Sequence, residues 1–135
     1  METPKRVANM YEEIFSGLTE NPEKHLKMFR EGQSDEIVIV RDIPMYSMCE
    51  HHWMPFFGHV SVTYIPNDTI IGLSKIPRVV KFFSQKPQLQ ERLTKEIGEY
   101  LVSVLNPKYL RVEITAVHTC VMCRGAESDC DTTTH

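Results

Sequence analysis

Residues 47–58 read Ser47-Met48-Cys49-Glu50-His51-His52-Trp53-Met54-Pro55-Phe56-Phe57-Gly58 and come shortly after a segment with the composition of a β-strand. Within this stretch, Cys49 and His52 are three residues apart, a spacing at which one turn of chain lets a thiol and an imidazole bind the same metal ion. His51 lies beside them with its ring free, and imidazole is the side chain that titrates nearest to neutral pH. The stretch therefore predicts a metal site with a proton-transfer group next to it.

A second cluster of metal-binding residue types, His118-Thr119-Cys120, ends an apolar segment near the end of the chain. In an extended strand alternate side chains share a face, which would place His118 and Cys120 together. Cys49, His52 and Cys120 would then supply three ligands and leave a fourth position open, as in catalytic zinc sites. Two alternatives stay open. The cysteines could be small buried apolar residues, or a structural zinc could take a fourth ligand from Cys123, Cys130, His51 or His118.

Length and composition narrow the classes of function. The 135 residues suffice for one domain, residues 1–135, with a core of its own. A net charge of −3 argues against nucleic acid as the main partner, although a local cationic pocket could still bind a small anion. No apolar run is long enough to span a membrane, and the first residues do not form a signal peptide. Four cysteines without a secretory signal indicate the reducing environment of the cytoplasm.

The first half of the chain predicts one helix and three strands. Thr3-Pro4 has the residue types of an N-cap and a first helical position, and apolar residues at helical spacing extend the helix over residues 4–18. Residues 19–34 are polar, with Asn21-Pro22 and Gly32 as turn signals, and are predicted to be a loop. Strands are predicted over residues 36–42, 58–65 and 69–73, with Val60, Val62 and Tyr64 on the buried side of the second one.

The second half predicts two helices and a strand. Ser74 is the expected cap of a helix from Lys75 to about Gln85, which would bury Ile76, Val79, Val80 and Phe83. Lys86-Pro87 ends this helix, and a longer one with a continuous apolar stripe follows as far as Asn106-Pro107. Residues 109–122 are predicted to form a strand. Strands, then two helices, then a strand indicate an α+β fold with an antiparallel sheet.

Seven stretches of the chain carry a resemblance to a known family. In order they are Thr3-Pro4-Lys5-Arg6-Val7-Ala8-Asn9-Met10-Tyr11, Glu13-Ile14-Phe15-Ser16-Gly17-Leu18, Cys49-Glu50-His51-His52, Tyr64-Ile65-Pro66, Ile71-Gly72-Leu73-Ser74-Lys75-Ile76, Gln88-Leu89-Gln90-Glu91-Arg92-Leu93-Thr94, and His118-Thr119-Cys120 with Arg124-Gly125. Together they cover nearly the whole chain, which resembles GTP cyclohydrolase I.

The resemblance implies a zinc enzyme that acts on GTP. Cys49, His52 and Cys120 would be the zinc ligands, and zinc would activate water for attack on carbon 8 of the guanine. His51 and His118 would move the protons that open the imidazole ring and release formate. The family then rearranges the ribose and closes a pterin ring to give 7,8-dihydroneopterin triphosphate, from which folate, biopterin and 7-deazaguanine synthesis start.

The resemblance also implies how GTP is bound. Gln90 and Glu91 would read the guanine edge, since a carboxylate accepts hydrogen bonds from both the ring N–H and the exocyclic amine. The triphosphate would be held by cations and hydrogen-bond donors, namely Ser74, Lys75, Arg78, Arg124 and Arg6. Considered without the family, each of these charged residues is more commonly a solvated surface group.

Family members have the tunnelling fold, in which two antiparallel helices cover one face of an antiparallel sheet and an N-terminal helix precedes it. Subunits of such proteins close their sheets into a barrel, so a homodecamer of two stacked pentamers with active sites between subunits is implied here. The chain starts at the family's Thr-Pro-x-Arg helix and stops at His135, where relatives continue through a last strand and a helix. The resemblance thus implies an active, minimal form.

Other functions fit the residues less well. The nitrile reductase of 7-deazaguanine synthesis shares the fold but needs a nucleophilic cysteine and a nicotinamide cofactor in place of the Cys-Glu-His-His segment. A zinc-independent cyclohydrolase is disfavoured by the intact three-ligand set, and a zinc module for nucleic acid by the acidic charge balance. The alternative from another class is a catalytically silent, zinc-stabilised assembly or regulatory subunit, although such a subunit would need neither His51 nor His118.

Overall fold

The computed structural model describes residues 1–25, 28–30 and 35–135. Its four helices are α1 (Thr3–Ile14), α2 (Lys75–Ser84), α3 (Gln90–Leu105) and α4 (Thr119–Met122). Its seven strands are β1 (Met28–Arg30), β2 (Val38–Cys49), β3 (Pro55–Ile65), β4 (Thr69–Ile71), β5 (Pro87–Gln88), β6 (Tyr109–His118) and β7 (Asp131–Thr134). In this part of the chain, no helix is both long and apolar enough to cross a membrane.

The main sheet has five strands in the order β5-β2-β3-β6-β7, and β1 and β4 form a separate two-stranded pair. Strands β2, β3, β6 and β7 are antiparallel neighbours, in agreement with the antiparallel sheet that the sequence predicted, although β7 itself was not predicted. The short strand β5 differs, because it pairs in parallel with the end of β2 through Met48 with Pro87 and Cys49 with Gln88. This parallel pair brings the start of α3 next to Cys49.

A bulge in β2 decides which of its side chains face the core. The register jumps between Val40 and Ile43, and Asp42 has a φ of 58° in the left-handed region, where Asp is one of the better tolerated residues. Before the bulge the even-numbered positions are the more buried ones, whereas after it Ile43, Met45, Ser47 and Cys49 are buried. The bulge therefore turns Cys49 towards the helices.

The core lies between one face of the sheet and the helices α2 and α3. Helix α2 packs on β2, α3 packs on β6, and the two helices contact each other. Val60, Val62 and Tyr64 of β3 are buried as predicted. Gly58 faces the same layer, and a side chain there would come within 2.0 Å of the Thr115 carbonyl oxygen, so glycine lets β6 lie close to β3.

Helix α3 ends with Asn106 at a φ of 43°, followed by Pro107, a common way to end a helix.

Several predicted boundaries in the first half of the chain were wrong. Helix α1 ends at Ile14 and a 3-10 turn, Ser16–Leu18, replaces its last turn; its N-cap is Glu2 rather than Thr3. The predicted loop over residues 19–34 contains strand β1, which was not predicted, after a 3-10 turn, Pro22–His25. Gly32, a predicted turn position, lies outside the described residues. Strand β2 runs to Cys49 rather than ending at residue 42, because pairing with β3 continues past Pro44.

Two further differences concern the second half of the chain. The last predicted strand stops at His118, and residues Thr119–Met122 form a helical turn instead. Residues 131–134, which carried no clear signal, form β7 and pair with β6. In α2, Ser74 occupies the N-cap position without a side-chain capping bond, and Phe82 is more buried than the predicted Phe83.

Candidate active site

Cys49 lies at the end of β2, where a tight turn leads into β3. Its backbone N–H donates to the carbonyl oxygen of Met54 at 2.8 Å, and the N–H of Trp53 donates to the Cys49 carbonyl oxygen at 2.8 Å. The N–H of Glu50 bonds the carbonyl oxygen of Gln88 at 3.1 Å, which joins the turn to β5. We call residues 49–54 the metal turn. These backbone bonds fix the places from which its side chains project.

The side chains of Cys49, His51 and His52 gather in this turn, with their possible ligand atoms all within 4.8 Å of one another. The Cys49 sulfur is 3.8 Å from Nδ1 of His52. A tetrahedral zinc with bonds of about 2.3 Å to sulfur and about 2.0 Å to nitrogen places two such atoms about 3.6 Å apart. The donor types and this separation fit a zinc ion, so the turn could hold a metal.

Cys120 reaches the metal turn by a different route from the predicted one. It lies in α4, so a turn of helix and not strand alternation orients it, and the Thr119 hydroxyl fixes that turn by donating to the Pro55 carbonyl oxygen at 2.6 Å. Burial raises the pKa of the Cys120 thiol, and its hydrogen bond with Cys49 adds to the shift. Both sulfurs are buried, with 6% and 7% of Cys49 and Cys120 exposed. Such thiols ionise most readily when a cation binds between them.

His118, at the end of β6, lies on the side of the sheet that faces the helices. Its ring stacks on Phe56 with centroids 4.7 Å apart and planes 8° from parallel. Its Nε2 atom is 2.8 Å from Oε1 of Gln90. Burial lowers the pKa of His118, and the negative charge of Glu91 opposes this shift. A half-buried ring with a lowered pKa is neutral near pH 7, as a proton acceptor must be.

Gln90 has a different position from the one expected for a base-reading residue. It is 2% exposed, and its amide nitrogen donates to the carbonyl oxygens of Ile114 at 3.0 Å and Thr132 at 2.8 Å. Carbonyl oxygens only accept, so the amide group must point this nitrogen towards them and its oxygen towards His118. Nε2 of His118 therefore carries the hydrogen, and Nδ1 of the neutral ring holds the free lone pair.

The predicted triphosphate-binding residues occupy three separate elements. Ser74, Lys75 and Arg78 lie at the start of α2, where the Lys75 N–H is bonded to the Gly72 carbonyl oxygen at 2.8 Å. Arg124 follows α4, with its Nη1 atom 3.1 Å from Nε2 of His52, so a guanidinium lies directly beside the metal turn. Arg6 lies on α1 and pairs with Glu2 at 3.1 Å.

Glu91 follows Gln90 in the first turn of α3 but is exposed. It lines a groove of about 580 Å³ between α3 and the strands β6 and β7. Thr94, Lys95 and Gly98 line the same groove from the helix, and Val112, Thr133 and Thr134 line it from the sheet. Glu91 is therefore accessible to a ligand, whereas the neighbouring Gln90 is not.

The structure adds two contacts that the sequence analysis did not assign. Arg92 of α3 forms two hydrogen bonds to the carboxylate of Glu50, which ties the metal turn to α3. Trp53 has a φ of 52° and packs its ring edge-on against Tyr11 and Phe15, with centroids 5.6 and 5.2 Å away. Both contacts join segments that are distant along the chain. An Arg four residues after the Pro87-Gln88 pair gives no local signal of either contact.

Comparison with known proteins places this geometry in a family. A family model described as GTP cyclohydrolase I matches residues 1–135. GTP cyclohydrolase 1 of Carboxydothermus hydrogenoformans is 50% identical over 127 residues, which are 93% of this chain and 66% of the relative. GTP cyclohydrolase 1 of Finegoldia magna is 53% identical over 127 residues, 94% of this chain and 69% of the relative. The chain thus spans about two thirds of the length of these relatives.

A solved structure supports the fold. The crystal structure of the archaeosine synthase QueF-Like in the apo form is similar with a TM-score of 0.55 at 20% sequence identity, over 76% of this chain and 94% of that one. At this identity the likeness concerns the fold alone, and it agrees with the α+β tunnelling fold predicted from the sequence. The family match over the whole chain and the two relatives at half identity lead to one conclusion: the chain belongs to the GTP cyclohydrolase I family of enzymes.

Proposed function

We propose that the chain hydrolyses GTP to formate and 7,8-dihydroneopterin triphosphate, a precursor for pterin, folate or 7-deazaguanine synthesis, in a zinc-dependent reaction. The observation that supports the proposal is the group of donors at the metal turn. The possible ligand atoms of Cys49, His51 and His52 lie within 4.8 Å of one another, and the Cys120 thiol is hydrogen-bonded to Cys49. These donors are of the types that zinc prefers.

Cys49, His52 and Cys120 are the proposed zinc ligands, with His51 left for proton transfer. The possible ligand atom of His51 also lies within 4.8 Å of those of Cys49 and His52, and the assignment of His51 to proton transfer rests on the family resemblance. Zinc, when bound, acts as a Lewis acid that makes water a better nucleophile near neutral pH. The protein supplies the buried thiols, leaves the fourth coordination position open and excludes competing ligands.

Release of formate requires both carbon–nitrogen bonds of guanine carbon 8 to break, so each departing nitrogen must gain a proton and each attacking water must lose one. Nδ1 of His118 has a free lone pair and can accept a proton, then return it. His51 is exposed, so its ring is open to solvent beside the metal turn. Two imidazole side chains can carry out these repeated proton transfers better than one.

Substrate recognition is proposed to divide between Glu91 and a group of cations. The exposed Glu91 carboxylate accepts hydrogen bonds from the N–H groups of the guanine edge. Lys75 and Arg78, together with Ser74 at the start of α2, bind the triphosphate, and Arg124 binds it next to the metal turn. Arg6 would have to exchange Glu2 for phosphate.

The proposed assembly is a homodecamer of two pentamers with sites between subunits. It is supported by the sheet face opposite the helices, where large apolar side chains are exposed. Tyr46 is 73% exposed and stacks on Phe57 with centroids 6.2 Å apart, and Ile39 and Tyr109 are also exposed. Burying such side chains against a second copy would remove them from water. Light scattering of the purified chain tests this, and a monomer at micromolar concentration would contradict it.

The proposed activity is tested by incubating purified, zinc-loaded protein with GTP and measuring formate together with the absorbance of the pterin. Both products in equal amounts are expected. Formate without pterin would limit the activity to ring opening. Neither product from a protein with bound zinc and an intact oligomer would contradict the proposal and favour the silent, zinc-stabilised subunit.

A further inference from the structure

We propose that Gln90 is a positioning residue for His118 and that strand β7 holds it in place, so that residues 131–134 take part in turnover without touching GTP. The inference rests on the proposed function in one respect, the role of His118 in proton transfer. It differs from the role expected from the sequence, in which Gln90 reads the guanine edge.

The first argument is that the Gln90 side chain has no capacity left for a substrate. A carboxamide offers two N–H donors and one carbonyl oxygen. Its nitrogen bonds the Ile114 and Thr132 carbonyl oxygens and lies 3.2 Å from the Thr134 hydroxyl, and its oxygen accepts from His118. With 2% of the residue exposed, a base edge could reach it only after these bonds had broken.

The second argument is that the hydrogen bonds around Gln90 have a definite direction. The Thr94 hydroxyl donates to the Gln90 backbone carbonyl oxygen at 2.9 Å. Its hydrogen is thereby used, so at the 2.6 Å contact the Thr134 hydroxyl donates to Thr94. Both N–H groups of the Gln90 amide are used on the Ile114 and Thr132 carbonyl oxygens, so the Thr134 oxygen packs against the amide nitrogen at 3.2 Å. With its nitrogen held in this way, the Gln90 oxygen points at His118.

The third argument concerns β7, which is the outer strand of the sheet. Few contacts other than those around Gln90 would keep it ordered. It pairs with β6 through Ala116 with Thr132 and Ile114 with Thr134, the rows that flank the Gln90 amide. All of β7 except the half-buried Thr134 is exposed. The stabilising contacts of β7 are therefore concentrated on Gln90 and Thr94. Through Gln90, they determine the tautomer and ring orientation of His118.

Three variants test the proposal by steady-state kinetics with GTP. Gln90→Met keeps the volume and removes both ends of the amide, and Thr134→Val removes the hydroxyl that contacts both Thr94 and the Gln90 amide. Thr115→Val is the matched control, because the Thr115 hydroxyl contacts Thr133 at 2.9 Å on the other face of the sheet. We expect kcat to fall about 10- to 100-fold in Gln90→Met, the usual cost of losing a supporting contact to a functional side chain.

KM distinguishes positioning from substrate contact. Because Gln90 does not touch GTP in this proposal, KM and selectivity for guanine over adenine nucleotides stay unchanged in Gln90→Met. Thr134→Val shows a smaller fall in kcat, and Thr115→Val shows none. A raised KM or lost guanine selectivity with unchanged kcat would overturn the proposal in favour of base reading. Thr134→Val retains Gln90, so it keeps the test decisive if Gln90→Met does not fold.

Two further measurements separate this proposal from the proposed activity. In the His118→Ala background, adding Gln90→Met should not lower the residual rate of formate release any further, since Gln90 acts through His118. An additional tenfold loss would overturn the proposal. The ring-nitrogen NMR signals of His118 in histidine-labelled protein should show hydrogen on Nε2, and a loss of this preference in Gln90→Met. Hydrogen on Nδ1 in the unsubstituted chain would overturn the proposal even if the chain released no formate.

Discussion

The guanidinium of Arg92 holds the carboxylate of Glu50 through two hydrogen bonds, of 2.5 and 2.9 Å. Glu50 directly follows Cys49, and Arg92 lies in the first turn of α3, so the pair clamps the metal turn against that helix. The forked geometry is the strongest form of such a contact. It also holds the pKa of the Glu50 carboxyl below its ordinary value, so the pair stays ionised into the acidic range and is lost as the pH falls through that lowered pKa.

Arg92→Ala should therefore weaken metal binding by about 10-fold, within the range found for residues that orient metal ligands. Lys95→Ala is the matched control, because Lys95 lies less than one turn further along α3 and, among the described residues, forms its ion pair with the exposed Glu99 at 3.7 Å. Zinc affinity is measured by competition with a chromophoric chelator. Equal affinities for the two variants would show that the Arg92–Glu50 pair does not support the metal turn.

Cys120→Ala should lose zinc even when Cys49 and His52 are intact, because two ligands bind zinc far more weakly than three. Cys123→Ala is the control: Cys123 follows three residues later and is exposed. Zinc content after dialysis is measured by atomic spectrometry of both variants. Retention of one zinc per chain by Cys120→Ala would instead assign the third ligand to His51, which lies within 4.8 Å of the other two donors.

Much of the fold could be predicted from the sequence because it depends on local patterns of residue types. The alternation of Val60, Val62 and Tyr64 identified the buried face of β3, and the apolar stripe of α3 identified its length to within a residue of Asn106. The same holds for the metal turn, since Cys49 and His52 are neighbours in sequence and a short turn suffices to bring them together. Such features need no knowledge of distant segments.

The rest of the site depends on contacts between segments that are far apart in sequence. Strand alternation was the wrong reason to place Cys120 near Cys49, because Cys120 is turned inwards by the bond from Thr119 to Pro55, 64 residues away. Gln90 was interpreted from the family, and only the Ile114 and Thr132 carbonyl oxygens reveal which way its amide points. No periodicity in a single sequence encodes the direction of a side-chain amide.

His118→Ala should lower kcat for formate release by about 10²- to 10⁴-fold, the usual contribution of a positioned acid–base group. Zinc content and GTP affinity should be retained, since His118 is not among the proposed ligands or triphosphate contacts. His59→Ala is the control, because His59 is exposed on the opposite face of the same sheet. An unchanged rate in His118→Ala, measured under the same zinc loading, would remove His118 from the proton transfers.

The two tyrosines Tyr64 and Tyr100 differ in how their buried hydroxyl groups are satisfied. The Tyr64 hydroxyl is hydrogen-bonded to the backbone of Ile71. Within the described part of the chain, the Tyr100 hydroxyl is buried without a partner, and its ring packs edge-on against Phe83 at 5.3 Å. Burial raises the pKa of both phenols. Folding therefore favours their neutral forms, and stability should fall as the pH rises through these raised values.

Tyr100→Phe should leave the free energy of unfolding at neutral pH unchanged or increase it by up to about 1 kcal/mol, because it removes a buried polar atom that makes no hydrogen bond. Tyr64→Phe removes a bonded hydroxyl of the same kind and should lower that free energy by about 1 kcal/mol. Urea unfolding followed by circular dichroism compares the two variants in the same oligomeric state. A loss of stability in Tyr100→Phe as large as in Tyr64→Phe would mean that the Tyr100 hydroxyl has a partner in solution, such as an internal water between α3 and α2.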